Sequence, residues 1–241
     1  MKFKINRDHF SSGLQLVTNI VGARKTMPIL QNVLIESKGQ SINLTTTNLD
    51  LGARCTLKAE VEEEGSVTLP VKELGRIIRE LADMEVNVET NESPKATIST
   101  RGSIFNVIGM NSKEFPPLPR LEEKKTFLIK RVELITMLKS VSYAQSVNEE
   151  RYMLKGVFFQ FNKDNLSLVA TDGRRLAVTI KDTKISEEDE GEFILPSLTV
   201  SEIERLPAVG DSLKIAFTDR QVAFEMNVES EKAVSYTHLR A

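Results

Sequence analysis

The sequence predicts an α+β fold made of two tandem copies of one unit, each with two helices packed on antiparallel sheets. Three observations predict it: short segments recur in order at a nearly constant separation, apolar residues follow helical and strand periods, and a proline cluster separates the two halves. The length of 241 residues suits two domains, since single domains usually have about 100–150 residues.

The recurrence of short segments is the most informative of these observations. Four pairs of similar segments are 124 residues apart, and two further matches are 126 and 125 residues apart. Such ordered matches favour a duplicated unit over two unrelated domains with similar strands. The pairs are 2–5 with 126–129, 32–35 with 156–159, 42–44 with 166–168, 47–48 with 171–172, 69–70 with 195–196, and 81 with 206.

Each copy has the same expected order of elements, beginning with a short strand and a helix. The first helix, expected at 8–20, buries Phe10, Leu14 and Val17, and its counterpart is expected at 130–143. A second short helix follows a Leu-Pro pair in each copy, at 72–81 and 198–206. The apolar face of the helix at 130–143 is expected to comprise Val132, Ile135, Leu138 and Val141, and that of the helix at 72–81 to comprise Leu74, Ile77, Ile78 and Leu81.

Strands account for most of the remaining chain. Acidic segments at 62–65 and 187–191 are expected to be solvated hairpin tips, as charge runs usually are. The strands are expected at 3–5, 32–36, 41–46, 53–61, 86–89, 95–100 and 103–110 in the first copy, and at 127–129, 155–161, 165–170, 175–181, 212–217 and 221–226 in the second.

A proline-rich connector, FPPLPR at 115–120, marks the boundary, because proline continues neither a helix nor a sheet ladder. The expected domains are therefore 1–119 and 120–233. The last residues, 234–241, have no similar segment in the first copy and resemble translated adapter sequence. We expect this tail to be non-native, with a short natural tail as the alternative.

The composition disfavours catalysis and metal binding. The only cysteine is Cys55, and the only histidines, His9 and His238, lie near the chain ends, so a Cys/His zinc cluster and a Ser-His-Asp triad are not expected. Neither a P-loop nor a GxGxxG motif is present. The sequence thus predicts no enzyme activity, no catalytic residue, no metal and no cofactor. A single cysteine fits the cytoplasm, and no apolar run predicts a membrane partner.

The net charge of -2, from 32 basic and 34 acidic residues, does not by itself indicate a nucleic-acid binder. A binder would need its cations on one surface. Lys72, Arg76 and Arg79 have the spacing of one helix face beside the leucine and isoleucine face, and Lys130, Arg131 and Lys139 lie on the first helix of the second copy. Ordinary solvated surface charge is the alternative for each.

Five segments carry a resemblance to a known family: MKFKINRDHF at the start, GARKTMPIL at 22–30, LPVK at 69–72, RYMLKGV at 151–157 and VATDGRRLA at 169–177. Together they resemble the bacterial sliding clamps, the beta subunits of DNA polymerase III, over residues 1–226. That family has three such domains per chain and closes as a head-to-tail homodimer ring around double-stranded DNA. The resemblance therefore implies a DNA sliding clamp, a processivity factor, whose third domain copy is missing here through C-terminal truncation.

The resemblance also implies which residues contact DNA. The matching positions are Arg24, Lys72, Asn148, Tyr152 and Met153. Relatives commonly carry an aromatic residue at the last of these positions, so the methionine puts a stacking role in doubt.

A second implied site is a cleft that captures short peptide motifs of the replicative polymerase, the clamp loader and repair polymerases. Thr-Asp-Gly is a turn signature, and the turn would place two arginines beside two leucines, which suits a peptide with apolar anchors and a polar or acidic end. A hairpin turn with solvated arginines is the alternative. The matching positions are Leu154, Thr171, Gly173, Arg174, Arg175 and Leu176, and the third domain would supply the rest.

Two other functions are weighed against the clamp. One is a two-domain peptide-binding interaction module without a DNA role. The other, a hydrolase that uses the acidic loops, is disfavoured because no suitably placed histidine is present. Salt-sensitive retention on circular but not on linear DNA would discriminate a clamp from an interaction module.

Overall fold

The structure, a computed structural model, describes residues 1–21, 27–91, 94–118, 124–147, 152–205, 212–228 and 231–238. Contacts between Cα atoms divide the chain into two units, Met1–Leu118 with Val228–Ser235, and Pro119–Asn227 with Tyr236–Ala241. Helices and antiparallel sheets in both confirm the α+β class. In the described ranges, no helix has the length and apolar character to cross a membrane.

The first unit contains two antiparallel sheets and two helices. One sheet has the strand order β5-β1-β7-β8-β9, and the other contains the neighbours β4-β3-β2-β6. The elements are β1 (Lys2–Asn6), α1 (Arg7–Thr18), β2 (Asn32–Lys38), β3 (Ser41–Thr47), β4 (Leu51–Lys58), β5 (Glu60–Glu63), β6 (Gly65–Pro70), α2 (Val71–Glu80), β7 (Glu85–Thr90), β8 (Lys95–Ser99) and β9 (Ile104–Ile108).

The core of this unit forms where α1 packs on β3, β4 and α2. The predicted face of α1 is confirmed, because Phe10, Leu14 and Val17 are buried. The ring of Phe10 meets that of Phe3 edge to face, with centroids 6.2 Å apart. The side chain of Asn6 caps α1 by accepting hydrogen bonds from the next helical N–H groups.

The second unit repeats this arrangement. Its sheets contain the neighbours β10-β15-β16 and β13-β12-β11-β14. The elements are β10 (Lys125–Lys130), α3 (Arg131–Val141), β11 (Gly156–Asn162), β12 (Asn165–Thr171), β13 (Leu176–Asp182), β14 (Gly191–Pro196), α4 (Ser197–Glu204), β15 (Ser212–Phe217) and β16 (Gln221–Val228). A last strand, β17 (Glu231–His238), follows in the chain; its residues up to Ser235 group with the first unit, and segment 234–241 begins inside this strand.

The separation seen in the sequence recurs in the strands themselves. Strands β2 and β11 begin at Asn32 and Gly156, 124 residues apart, and β6 and β14 begin at Gly65 and Gly191, 126 residues apart. The helices α2 and α4 each begin directly after a Leu-Pro pair. The two copies therefore share the order strand, helix, strands, helix, but the first unit has five strands between its helices and the second has four.

An aromatic cluster fills the core of the second unit. Phe159 stacks on Phe193 with ring centroids 4.9 Å apart, and Phe161 stacks on Phe217 at 4.8 Å. The rings are enclosed between β11, β14 and β15, so this cluster replaces the aliphatic side chains that dominate the first core.

The predicted face of α3 is partly wrong. Leu138 and Val141 are buried as predicted, but Val132 is 65% exposed, and Leu134 and Met137 face the core instead. Apolar residues occupy so many positions of this helix that two faces satisfy the helical period, and packing against β12 and β13 selects one of them.

Two strand expectations also differ from the structure. The strand expected at 53–61 is two strands, because the chain leaves one sheet after Lys58 and joins β1 in the other sheet as β5. The acidic segments at 62–65 and 187–191 are not hairpin tips, because the strands that flank each of them do not pair with one another. Residues 62–65 are exposed as expected, and Glu62 lies in β5, where Lys2 and Lys4 place their ammonium groups 2.8 and 3.2 Å from its carboxylate. These two lysines lower the pKa of the Glu62 carboxyl, mainly by donating hydrogen bonds to it and to a smaller extent by their positive charge.

Candidate nucleic-acid and peptide surfaces

A cationic stripe lies along the exposed side of α2. Lys72, Arg76 and Arg79 are all exposed, whereas Leu74 and Ile78 on the opposite side are fully buried. At 3.6 residues per turn the three cations fall within an arc of about 60°. Among the described residues, none of the three forms an ion pair with a carboxylate. The stripe therefore presents three positive charges to solvent, none of them ion-paired within the described part of the chain.

The position of Lys72 is unfavourable for an isolated helix. It lies in the first turn of α2, where the partial positive charge of the helix disfavours a cation, and Pro70 offers no capping side chain. Arg79 lies in the last turn, where a cation is favoured. A bound anion beside Lys72 would offset the unfavourable interaction, which a phosphate group does well.

The second unit does not repeat the stripe. On α3, Lys139 is exposed as expected, but Arg131 is only 7% exposed and belongs to the interior, which corrects its expected surface position. The residue begins α3 directly after β10. Directly after α4, Arg205 pairs with Glu202 of that helix at 3.1 Å. The second helix of the first unit, α2, thus carries cations without ion-pair partners among the described residues, whereas the second helix of the second unit, α4, has no Lys or Arg.

The remaining predicted DNA contacts are only partly described. Arg24 and Asn148 lie outside the described residues. Tyr152 and Met153 belong to a 3₁₀ turn at Tyr152–Leu154, and the side chain of Met153 is exposed. The structure does not bring Lys72 and Met153 together in one unit.

The predicted peptide surface centres on the turn between β12 and β13. The hydroxyl of Thr171 accepts a hydrogen bond from the Gly173 N–H (3.0 Å) and donates one to the carbonyl of Arg175 (2.7 Å). Asp172 Oδ1 accepts from the N–H groups of Arg174 and Arg175 at 2.9 and 3.0 Å. Gly173 has a φ of +85°, which favours glycine. Side-chain hydrogen bonds thus fix the whole turn.

These hydrogen bonds also shift the pKa of the Asp172 carboxyl in the turn. The backbone N–H of Arg174, followed by that of Arg175, lowers the pKa of Asp172, because both bonds favour the charged carboxylate. The Asp172 carboxyl is partly exposed and the Arg175 side chain is exposed, so solvent screens the interaction between them.

Arg175 is held from three sides. Its Nε lies 3.1 Å from Asp172 Oδ2, its Nη2 donates to the carbonyl of Tyr143 at 2.6 Å, and its Cζ lies 5.6 Å from the centroid of the Tyr143 ring. Tyr143 follows α3 in a 3₁₀ turn, Ser142–Ala144, and is 61% exposed. The sequence prediction missed Tyr143, since no local pattern marks a contact between residues 32 positions apart.

The other predicted cleft residues lie near this turn. The N–H of Ser146 donates to the carbonyl of Leu154 at 2.9 Å, which ties the predicted Leu154 to the segment that carries Tyr143. Leu176 is 65% exposed and begins β13, an edge strand of its sheet on which Val178 and Ile180 are exposed on the same side. The surface therefore combines one fixed cation, Arg175, with uncovered apolar side chains.

Comparison with known proteins identifies the family. Residues 1–119 match the N-terminal domain of the DNA polymerase III beta subunit, and residues 128–235 match its central domain. The chain belongs to the DNA polymerase III beta-subunit family. Members of this family are sliding-clamp subunits, as the names of its relatives state.

Three relatives show how the chain relates to this beta-subunit family. The beta sliding clamp of Chlamydia muridarum is 33% identical over 225 residues, which cover 93% of this chain and 62% of that protein. A DnaN sliding clamp from Bartonella birtlesii, crystallised with griselimycin, is 27% identical with a TM-score of 0.91, over 100% of this chain and 65% of that one. The Caulobacter crescentus pol III beta structure is 27% identical with a TM-score of 0.90, over 99% and 65%. The chain thus spans less than two thirds of the length of these relatives.

Proposed function

We propose that this chain acts in a DNA sliding clamp, as a non-catalytic processivity factor that tethers the replicative polymerase to duplex DNA. Family membership supports the proposal, and the cationic stripe on α2 is the single observation that carries it. A tether raises the effective concentration of the polymerase at its template without any covalent chemistry. The proposed assembly is a homodimer ring in the cytoplasm, completed by a third domain.

The proposed DNA contacts are made to phosphates. Lys72, Arg76 and Arg79 would each meet a phosphate, because such contacts are independent of sequence and allow the protein to slide. Arg24, Asn148, Tyr152 and Met153 are proposed as further DNA contacts on the strength of the family resemblance.

The proposed peptide surface binds short motifs of the polymerase, the clamp loader and repair polymerases. Leu154 and Leu176 would hold apolar side chains, while Arg175 would meet a polar or acidic group. Thr171, Gly173 and Arg174 would shape and line the turn. The hydrogen bonds that fix this turn support the assignment, because a preorganised site loses less entropy when a peptide binds.

Photocrosslinking tests the DNA role. Benzoylphenylalanine in place of Arg76 on α2 should form an adduct with duplex DNA, whereas the same group in place of the exposed Lys113 should not. Equal adducts at both positions, or none at Arg76, would contradict the proposal and favour an interaction module without a DNA role.

Peptide selection tests the second surface. Heptapeptides selected on the chain from a random display library should bind with lower affinity to the Leu176→Ala variant, measured by fluorescence anisotropy. The exposed Leu128, on β10, provides a matched control in Leu128→Ala. An unchanged dissociation constant for Leu176→Ala would remove that residue from the site.

A further inference from the structure

The contact between Tyr143 and Arg175 leaves part of each side chain available to a ligand. The guanidinium has five N–H donors, of which Nε donates to Asp172 and one N–H of Nη2 donates to the Tyr143 carbonyl. Its other three N–H groups donate to no acceptor in the described part of the chain. The Tyr143 ring is 61% exposed although it lies beside this cation.

Such a pairing restricts a side chain that would otherwise be mobile. An exposed arginine samples many rotamers, and ordering it on binding costs affinity. Here the carboxylate of Asp172 and the carbonyl of Tyr143 hold the guanidinium at two points, and the ring holds its face at 5.6 Å. Most of the ordering cost is therefore met before a ligand arrives.

We infer that Tyr143 is a positioning and specificity residue of the peptide surface. It orients Arg175 toward a carboxylate on the bound peptide, and its exposed ring packs against the apolar side chain next to that carboxylate in the peptide. The inference rests on the proposed peptide binding. The ligand class is a peptide with an acidic residue next to an apolar one. The free N–H groups of Arg175 suit a carboxylate, because a planar guanidinium binds one through two parallel hydrogen bonds.

A purely structural role for Tyr143 makes a different prediction. The carbonyl that accepts from Arg175 belongs to the backbone, so it persists in every variant at this position. A ring that only covered the end of α3 would change thermal stability and would weaken all peptides equally. A ring that positions Arg175 affects the preference for a carboxylate over its uncharged amide.

The experiment compares acidic peptides with their amide analogues. The probe is the tightest heptapeptide selected on the unaltered chain, synthesised with its acidic residue and again with the corresponding Asn or Gln. We expect the unaltered chain to prefer the acid about tenfold or more, as hydrogen bonds to charged groups usually give. Tyr143→Ala should reduce that preference to about threefold or less, Tyr143→Phe should retain it, and Leu128→Ala should leave it unchanged.

Each outcome decides the matter. Equal weakening of acid and amide peptides by Tyr143→Ala, an undiminished acid preference, or selected peptides without acidic residues would each overturn the inference. If neither the unaltered chain nor the same chain extended by the part of the Chlamydia muridarum relative beyond the matched region selects a peptide, the proposed peptide surface itself is wrong, and that result is distinguishable from the other three.

Discussion

Removal of the cationic stripe on α2 should change how salt affects DNA binding. The variant carries Lys72→Gln, Arg76→Gln and Arg79→Gln together. Each phosphate contact contributes about 0.9 to the slope of log affinity against log salt concentration, so the loss of three contacts should make the slope shallower by about 2.7. Between about 50 and 200 mM salt, that difference corresponds to roughly a 40-fold smaller loss of affinity.

The fold should tolerate these substitutions. All three side chains are exposed, and the buried face of α2 is untouched. Loss of the cation in the first turn is favourable and loss of the one in the last turn is unfavourable, each by about 0.3–1 kcal/mol, so the two effects nearly cancel. We expect the melting temperature to change by less than about 4 °C.

A matched control variant tests whether DNA binding depends on the position of the three cations on α2 or only on the total charge of the chain. Lys38, Lys58 and Lys113 are exposed residues of the same unit that lie outside α2, and their replacement by glutamine removes the same three charges. Fluorescence anisotropy of a labelled duplex, measured across salt concentrations, should give this control nearly the original slope. An unchanged slope for the α2 variant, or an equally shallow slope for the control, would refute the assignment of the stripe.

Further predictions concern the two cores and the β12–β13 turn. Phe161→Ala should lower the free energy of unfolding by about 3–5 kcal/mol in urea titrations, because a buried ring is lost from the aromatic cluster; a loss below about 1 kcal/mol would contradict that packing. Gly109→Ala should destabilise the first unit, since a Cβ there would clash with the carbonyl oxygen of Thr68, whereas Gly75→Ala on α2 meets no atom within 4 Å and should stabilise by about 0.5–1 kcal/mol; thermal melts in which both variants shift the same way would be evidence against this contrast. The lowered pKa of Asp172 means that its hydrogen bonds stabilise the turn above the ordinary carboxyl pKa of about 3.9 and are lost as pH falls through the lower folded-state value; the amide NMR shifts of Arg174 and Arg175, whose N–H groups donate to this carboxylate, should report the titration, and Asp172→Asn should abolish it.

Local signals made most of the fold predictable from sequence. The repeated Leu-Pro pairs and the strand segments at constant separation located α2, α4 and most strands, because turn chemistry and apolar period act over a few residues. The face of α3 was not predictable, since its apolar residues fit two faces and only packing on the sheet chooses between them. The division between β4 and β5 depends on pairing with β1, which is remote in sequence.

The peptide surface was also only partly predictable from the sequence. The Thr-Asp-Gly turn was readable, because the side chains of Thr171 and Asp172 bond to N–H groups two or three residues away. The partnership of Tyr143 with Arg175 was not, because it joins the end of α3 to a distant hairpin. The free cations of α2 were recognisable as a helix stripe, but their lack of carboxylate partners among the described residues needed coordinates.

Topological retention on DNA tests the central claim most directly. The chain, extended by the part of the Chlamydia muridarum relative that lies beyond the matched region, is loaded with a clamp loader onto nicked circular DNA, and half of the sample is then linearised. The account predicts that the protein stays on the circle through gel filtration and leaves the linear DNA. Equal retention on both forms, or none on the circle, would contradict the claim that this chain belongs to a ring that encircles DNA.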